Sequence, residues 1–206
     1  MRPIRFVAGV GVVLSALAAG CSGRPAPPPL PTYDAAAAGK AALAEFDADG
    51  NGKLDAKELA RCPALAMALD RADRDGDKAL TADEIAARIE RWFASGTIMM
   101  DGTTLVTLDG KPLAGATVTF EPEKFLGGGF DTCRGVTNEL GRASPTGSNA
   151  QFPGVYVGAY RVRISKQVGG KEILPARYNT ESTLGYEVAD DIPEVQSLIE
   201  FRLKSH

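Results

Sequence analysis

The chain contains little histidine and little cysteine. Its 206 residues include one histidine, His206 at the last position, and three cysteines. Catalysis by a histidine base would have to use a terminal residue, and chain ends are commonly poorly ordered. Three cysteines are also too few for the dense disulfide scaffold of a small secreted domain. The sequence offers no nucleophile with a base beside it, so we expect no catalytic residue and no small-molecule substrate.

The chain also has no excess of basic residues over acidic ones. Aspartate and glutamate (26) outnumber lysine and arginine (23), which gives a formal net charge of −3. Proteins that bind nucleic acids usually carry a basic face, so no nucleic-acid partner is expected. Hydrophobic residues make up 44% and charged residues 24% of the chain, which is typical of a globular protein.

The one long apolar stretch lies near the N-terminus. Two arginines precede apolar residues 6–17, and small residues 18–20 lead directly into Cys21. This stretch is shorter than the ~20 residues that a transmembrane helix needs, which favours a cleaved targeting segment, residues 1–20, over an uncleaved anchor. The letters LAAGC resemble the lipobox of bacterial lipoproteins. The resemblance implies that Cys21 is lipidated and attaches the protein to a membrane of the cell envelope, at the outer membrane or the periplasmic face rather than in the cytoplasm.

A proline-rich segment follows the cysteine. The letters SGRPAPPPLPTYD cover residues 22–34, and five of these thirteen residues are proline. Proline favours an extended backbone, so we expect residues 21–33 to be a semi-rigid linker between the lipid and the folded part.

Oxygen-bearing side chains then recur at regular spacing in the letters DADGNGKLDAKE. This stretch resembles the calcium-binding loop of an EF-hand. The resemblance implies a Ca²⁺ site whose ligands are Asp47, Asp49, Asn51, the carbonyl of Lys53, Asp55 and Glu58. Gly52 would permit the sharp turn that such a loop makes, because glycine adopts positive φ without steric cost.

A second such loop reads DRDGDKALTADE. Its expected Ca²⁺ ligands are Asp73, Asp75, Asp77, the carbonyl of Ala79, Thr81 and Glu84. Lys78 stands where the first loop has glycine, and a non-glycine residue in a left-handed conformation costs roughly 1 kcal/mol. We therefore expect weaker binding or a distorted turn at the second loop. Solvated acidic turns are the alternative for one loop, but two matching loops favour calcium.

Helical patterns flank both loops, which predicts a paired EF-hand module over residues 34–96. Asp34, Pro63 and the pair Thr81–Glu84 are helix-start signals. Only residues 59–72 separate the loops, so the helix after the first loop must be short and the module fixed rather than opening widely. Trp92 and Phe93 are expected to pack in the core, or else to form a face for a partner. Residues 34–95 carry 13 acidic and 9 basic side chains, a net charge of −4 that two calcium ions would neutralise.

Beyond residue 96 the pattern alternates with period two. Apolar residues Val118, Phe120, Val162 and Ile164 alternate with polar ones, and Arg161 and Arg163 are expected to form a solvated strand face. Glycine-rich turns such as DGKP, NELG and VGGK separate the runs, which predicts an antiparallel β-sandwich over residues 97–206. The overall fold class is thus α+β with two domains.

Longer stretches of this half resemble a known family. LDGKPLAGATVTFEP, GVTNELGRAS and GAYRVRIS are similar to the carboxypeptidase regulatory-like, or transthyretin-like, seven-strand sandwich. That resemblance implies a fold but no defined activity. The run GGGFDTC is expected to be a mobile hairpin loop. Cys62 and Cys133 would either form a disulfide or remain buried thiols.

These expectations describe a calcium-binding lipoprotein of the cell envelope that serves as a scaffold or in adhesion and is not an enzyme. Calcium would brace the helical module, and a protein partner in the envelope is expected. One alternative is a calcium-dependent, dockerin-like interaction module. Another is a ligand carrier that uses the sandwich.

Overall fold

The computed structural model describes residues 30–148 and 154–206. The predicted signal segment, the lipidation site Cys21 and most of the linker lie outside these residues. The described part has an α+β fold, with helices mainly in the first half and mostly antiparallel strands in the second. Its α-helices are α1 (Ala35–Phe46), α2 (Ala56–Leu59), α3 (Pro63–Ala72) and α4 (Ala82–Phe93). None of these helices is both long and apolar enough to span a bilayer.

Fourteen strands, most of them short, complete the described part. In chain order they are β1 (Lys53–Leu54), β2 (Leu80–Thr81), β3 (Met99–Met100), β4 (Thr104–Leu108), β5 (Lys111–Pro112), β6 (Thr117–Pro122), β7 (Cys133–Val136), β8 (Arg142–Ala143), β9 (Val155–Tyr156), β10 (Gly158–Ser165), β11 (Gln167–Val168), β12 (Lys171–Glu172), β13 (Leu184–Val188) and β14 (Ile199–Leu203).

The helix starts are confirmed where the local sequence predicted them. The Asp34 carboxylate accepts a hydrogen bond from the backbone N–H of Ala37 at 2.9 Å and caps α1. Pro63 begins α3, and Thr81 forms a capping box with Glu84 at the start of α4. The helix after the first loop, α2, has only four residues, as the short interloop segment required.

A single glycine lets α1 and α4 approach closely. A Cβ atom at Gly39 would lie 2.2 Å from the carbonyl oxygen of Ala82, the first residue of α4. No side chain fits in that space, so Gly39 fixes how tightly α1 packs against the start of α4. The buried residues of this segment include Ala42, Leu54, Leu65, Ile85, Ile89 and Trp92.

The first large sheet has the strand order β13-β10-β6-β7, with every pair antiparallel. Its alternation follows the sequence pattern, because Val118, Phe120, Val162 and Ile164 are all fully buried. The predicted turn at Asp109 is also confirmed, and it joins two strands of the other sheet, β4 and β5. Asp109 and Gly110 there both have positive φ, 50° and 81°.

The second large sheet departs from the expectation of purely antiparallel strands. Its order is β14-β4-β5, β8 also pairs with β4, and the β14–β4 pair is parallel. Two strands joined by a tight hairpin must be antiparallel, but β4 and β14 are separated by most of this half of the chain. Their direction is therefore set by how the sheets close, which local patterns do not encode. Phe201 of this sheet lies edge-on to Phe120 and Tyr186 of the first sheet, at centroid distances of 6.4 and 6.1 Å.

The helical segment rests on the first sheet through α3 and α4. A Cβ atom at Gly185, in the edge strand β13, would lie 2.4 Å from the backbone nitrogen of Ala64. The glycine thus lets the first turn of α3 lie directly on the strand. The helices and the sheets share one hydrophobic core within the described residues.

Candidate metal centre

The two acidic loops are joined back to back by a small strand pair. Lys53 of β1 lies opposite Thr81 of β2, and Leu54 lies opposite Leu80 in antiparallel register. Both leucines are fully buried, so the apolar residue of each loop ties it to the core. The paired strands hold the two loops at a fixed distance from each other.

Each loop brings three carboxylates together. One oxygen from each of Asp47, Asp49 and Glu58 lies within 4.8 Å of the others, and the same holds for Asp73, Asp75 and Glu84. Calcium binds oxygen ligands at about 2.3–2.6 Å, so oxygens around one ion are separated by no more than about 5 Å. The spacing and the all-oxygen donor set of both trios fit a Ca²⁺ ion.

Backbone hydrogen bonds fix the first aspartate of each loop in the same way. Asp47 accepts from the N–H groups of Gly50 and Gly52 at 2.7 and 2.9 Å. Asp73 accepts from the corresponding N–H groups of Gly76 and Lys78 at the same two distances. The bond from Gly52 is the main reason that the pKa of Asp47 lies below its ordinary value. The carboxylate is therefore held ionised and in place before any cation arrives.

The last glutamate of each loop is also held identically. Glu58 accepts from the backbone N–H groups of Ala48 and Asp55 at 2.7 and 3.0 Å. Glu84 accepts from those of Arg74 and Thr81, both at 2.9 Å. Burial alone would raise the pKa of Glu84, but these hydrogen bonds outweigh burial and keep it below its ordinary value. Each glutamate thus connects the start of its loop to the helix that follows.

The remaining predicted ligands have other partners in this structure. Asp55 caps α2 by accepting from the N–H of Lys57 at 2.8 Å, and the Thr81 hydroxyl donates to Glu84 at 2.8 Å. Asn51 donates through its side-chain amide to Asp49 at 2.9 Å. Lys53 and Ala79, the predicted carbonyl ligands, lie in β1 and directly before β2.

The Asp77 carboxylate forms an ion pair with a lysine of the first loop. The Lys53 ammonium donates a hydrogen bond to Asp77 and lies 3.7 Å from Asp75. This bond lowers the pKa of Asp77 and raises that of Lys53. The lysine therefore lies where it would compete with a metal ion for the carboxylates of the second loop.

Lys78 adopts a left-handed backbone, and the distorted turn that was one of the two expectations for this loop is not observed. Its φ is 65°, close to the 83° of Gly52 at the same place in the first loop. The turn is retained despite the side chain, so the second loop keeps the shape of the first and carries the strain of a left-handed lysine.

Sequence reasoning missed the charged residues between the helices and the sheet. The Arg161 guanidinium donates to the carbonyl oxygen of Arg61, after α2, at 2.7 Å and lies 3.3 Å from the buried Glu123 carboxylate. Arg161 is therefore only partly solvated, with its side chain 24% exposed, whereas the Arg163 side chain is 37% exposed and pairs with Glu121 of the neighbouring strand. Burial raises the pKa of Glu123, although Arg161 opposes this effect. These groups line a polar cavity of about 290 Å³. No local motif predicts such a contact, because its partners are about 100 residues apart.

The two cysteines are buried, and the glycine run packs against the end of the linker. Cys62 and Cys133 are both free and buried, and burial raises the pKa of Cys133 to about 11. Gly129 lies against the backbone of Thr32, where a Cβ atom would approach the carbonyl oxygen to 2.3 Å. The glycine run thus makes room for the end of the linker.

We also compared this chain with known proteins. No protein-family model, no curated protein and no solved structure matches it.

Proposed function

We propose that this protein is a calcium-binding, lipid-anchored protein of the cell envelope that serves as a scaffold or in adhesion. Calcium braces a paired EF-hand module over residues 34–96, and the sheets form a sandwich of the transthyretin-like type. The observation that carries the calcium proposal is the repetition of one carboxylate geometry in two loops. Both trios lie within 4.8 Å, and both loops use equivalent hydrogen bonds.

A structural role for calcium is supported by the compactness of the loop pair. The two loops share the β1–β2 strand pair, and α2 has only four residues. Without an ion, the carboxylates of each trio repel one another. Binding then stabilises the folded segment by mass action, and even millimolar affinity suffices where calcium is abundant.

Burial of Trp92 favours the scaffold over the dockerin-like alternative. Trp92 is 1% exposed, and its indole N–H donates to Glu187 of β13 at 2.7 Å. The exit helix therefore uses this side chain within the chain rather than offering it to a partner. A ligand carrier has no comparable support.

The test of calcium binding is titration calorimetry on matched variants. Glu58→Gln and Glu84→Gln each remove one charge, and glutamine still serves in a capping box, so the helix start is preserved. We expect two ions per chain in the wild type and one in each variant. Glu45→Gln and Glu90→Gln, at exposed positions of α1 and α4, should leave both ions bound. Absence of binding in the wild type, or two ions in both loop variants, would refute the proposal.

The lipid anchor has a separate test. Replacing Cys21 by serine should move the protein from the membrane fraction to the soluble fraction of the envelope, with calcium binding unchanged. Retention in the membrane fraction would contradict lipidation at this residue.

A further inference from the structure

One face of α4 connects the second acidic loop to the sheet. Glu84, Arg88 and Trp92 recur every four residues, which places them in one stripe along the helix. Glu84 belongs to the carboxylate trio of the second loop, whereas Arg88 and Trp92 contact β13. A rigid helix of three turns thus joins the metal centre to the interface between helices and sheet.

The interface is centred on a buried carboxylate. Glu187 of β13 is fully buried, and its Oε1 accepts from Nε of Arg88 at 2.5 Å and from the indole N–H of Trp92 at 2.7 Å. Its other oxygen, Oε2, is buried with no hydrogen bond, and the Arg71 guanidinium lies 3.6 Å from it. Both hydrogen bonds to the Glu187 carboxylate therefore come from α4.

Asp191 completes the contact from the loop that follows β13. It accepts two hydrogen bonds from the guanidinium of Arg88, at 2.7 and 2.9 Å, in a bidentate arrangement. Such pairs need exact geometry, and a buried charge that loses its partner is strongly destabilising. A shift of α4 would break several of these bonds together, so they all depend on one position of the helix.

We infer that calcium binding at the second loop is coupled to the docking of α4 on β13, through the stripe Glu84–Arg88–Trp92. The inference rests on the proposed calcium function. An ion bound by Glu84 anchors the first turn of α4 to the loop and so holds Arg88 and Trp92 in register with Glu187 and Asp191. When the ion is removed, repulsion within the trio loosens that turn and weakens the contact. By linkage, docking strengthens calcium binding by the same factor.

The protein carries its own probe for this coupling, because Trp92 is its only tryptophan. Acrylamide quenching of its fluorescence in the full-length protein reports whether it stays covered by the sheet. We expect little quenching with calcium chloride and several-fold stronger quenching with a chelator. In calcium, Glu84→Gln should resemble the chelated protein, whereas Glu58→Gln should keep most of the protection.

A matched pair of variants tests the sheet side of the contact. Asp191→Asn loses the bidentate charge pair with Arg88, and calorimetry should show calcium binding at the second loop weakened at least about fivefold. Asp190→Asn removes only the pair with the exposed Arg91, which spans 3.3 Å, and should bind like the wild type.

The outcomes separate this inference from the proposed function. If calorimetry shows two bound ions but chelation leaves the quenching of Trp92 unchanged, the coupling is overturned and calcium binding stands. Equal effects of Glu58→Gln and Glu84→Gln on quenching would also overturn it. If the wild type binds no calcium, the proposed function fails and the coupling with it. The comparison of wild type with and without calcium requires no variant to fold.

Discussion

Replacing Lys78 by glycine should stabilise the protein. At φ 65° a residue with a Cβ atom destabilises the folded state by about 1–2 kcal/mol relative to glycine. Glycine offsets about 0.4–1 kcal/mol of this gain, because it increases the conformational entropy of the unfolded chain. At Gly52, the equivalent position, an added Cβ would meet nothing within 4 Å, so the cost is one of backbone conformation alone. The free energy of unfolding should rise by roughly 0.5–1 kcal/mol, or about 1–4 °C in Tm for a chain of this size.

Lys78→Ala is the matched control, because it removes the charge but keeps the Cβ atom and its strain. Thermal unfolding in a chelator should place Lys78→Ala within about 0.5 kcal/mol of the wild type and Lys78→Gly above both. Gly52→Ala, the reverse change in the first loop, should destabilise by about 1 kcal/mol. Equal stabilisation by Lys78→Ala and Lys78→Gly would show that charge, not strain, is responsible and would refute the reasoning.

Two further predictions concern charged contacts. Lys53→Gln should raise the calcium affinity of the second loop a few-fold in calorimetry, because it frees Asp77, whereas Lys57→Gln should not; equal gains from both would point to net charge alone. Hydrogen bonds from Arg88 hold the pKa of Asp191 below its ordinary 3.8, so their contribution to stability is present above that value and is lost as the pH falls through the lower folded-state pKa. Lowering the pH from 5 to 3 should therefore destabilise the wild type more than Asp191→Asn, as measured by thermal unfolding in a chelator. Equal losses of stability in the two proteins would contradict this.

Features that depend on neighbouring residues could be predicted from the sequence. The cap at Asp34, the proline start of α3 and the capping box of Thr81 with Glu84 all involve residues within three or four positions. The left-handed backbone of Lys78 follows from its place in a repeated loop. In each case the physical constraint is local, so a short stretch of sequence is enough to predict the feature.

Features that depend on residues far apart in the chain could not be predicted from the sequence. The parallel pairing of β4 with β14 is decided by sheet closure. Arg161 and Glu187 each find partners about 100 residues away, in the helical half. The alternation of β10 indicated only which face each residue occupies, and it could not indicate that the helical segment partly covers the outer face of the strand. The sequence pattern alone predicts that a charged residue on such a face is exposed to solvent, because it does not show which element packs against that face.

The coverage of α4 also limits how this protein could bind a partner. A dockerin-like contact through Trp92 and Arg88 would have to displace Glu187 and Asp191, leaving a buried carboxylate of β13 without its main donors. Such a displacement is costly unless the partner supplies an equivalent cation. If calcium strengthens the docking of α4 on the sheet, it would disfavour this mode of binding rather than promote it. A partner captured from the envelope better without calcium than with it would therefore point to the α4 face, and one captured equally well in both conditions would point to a different surface.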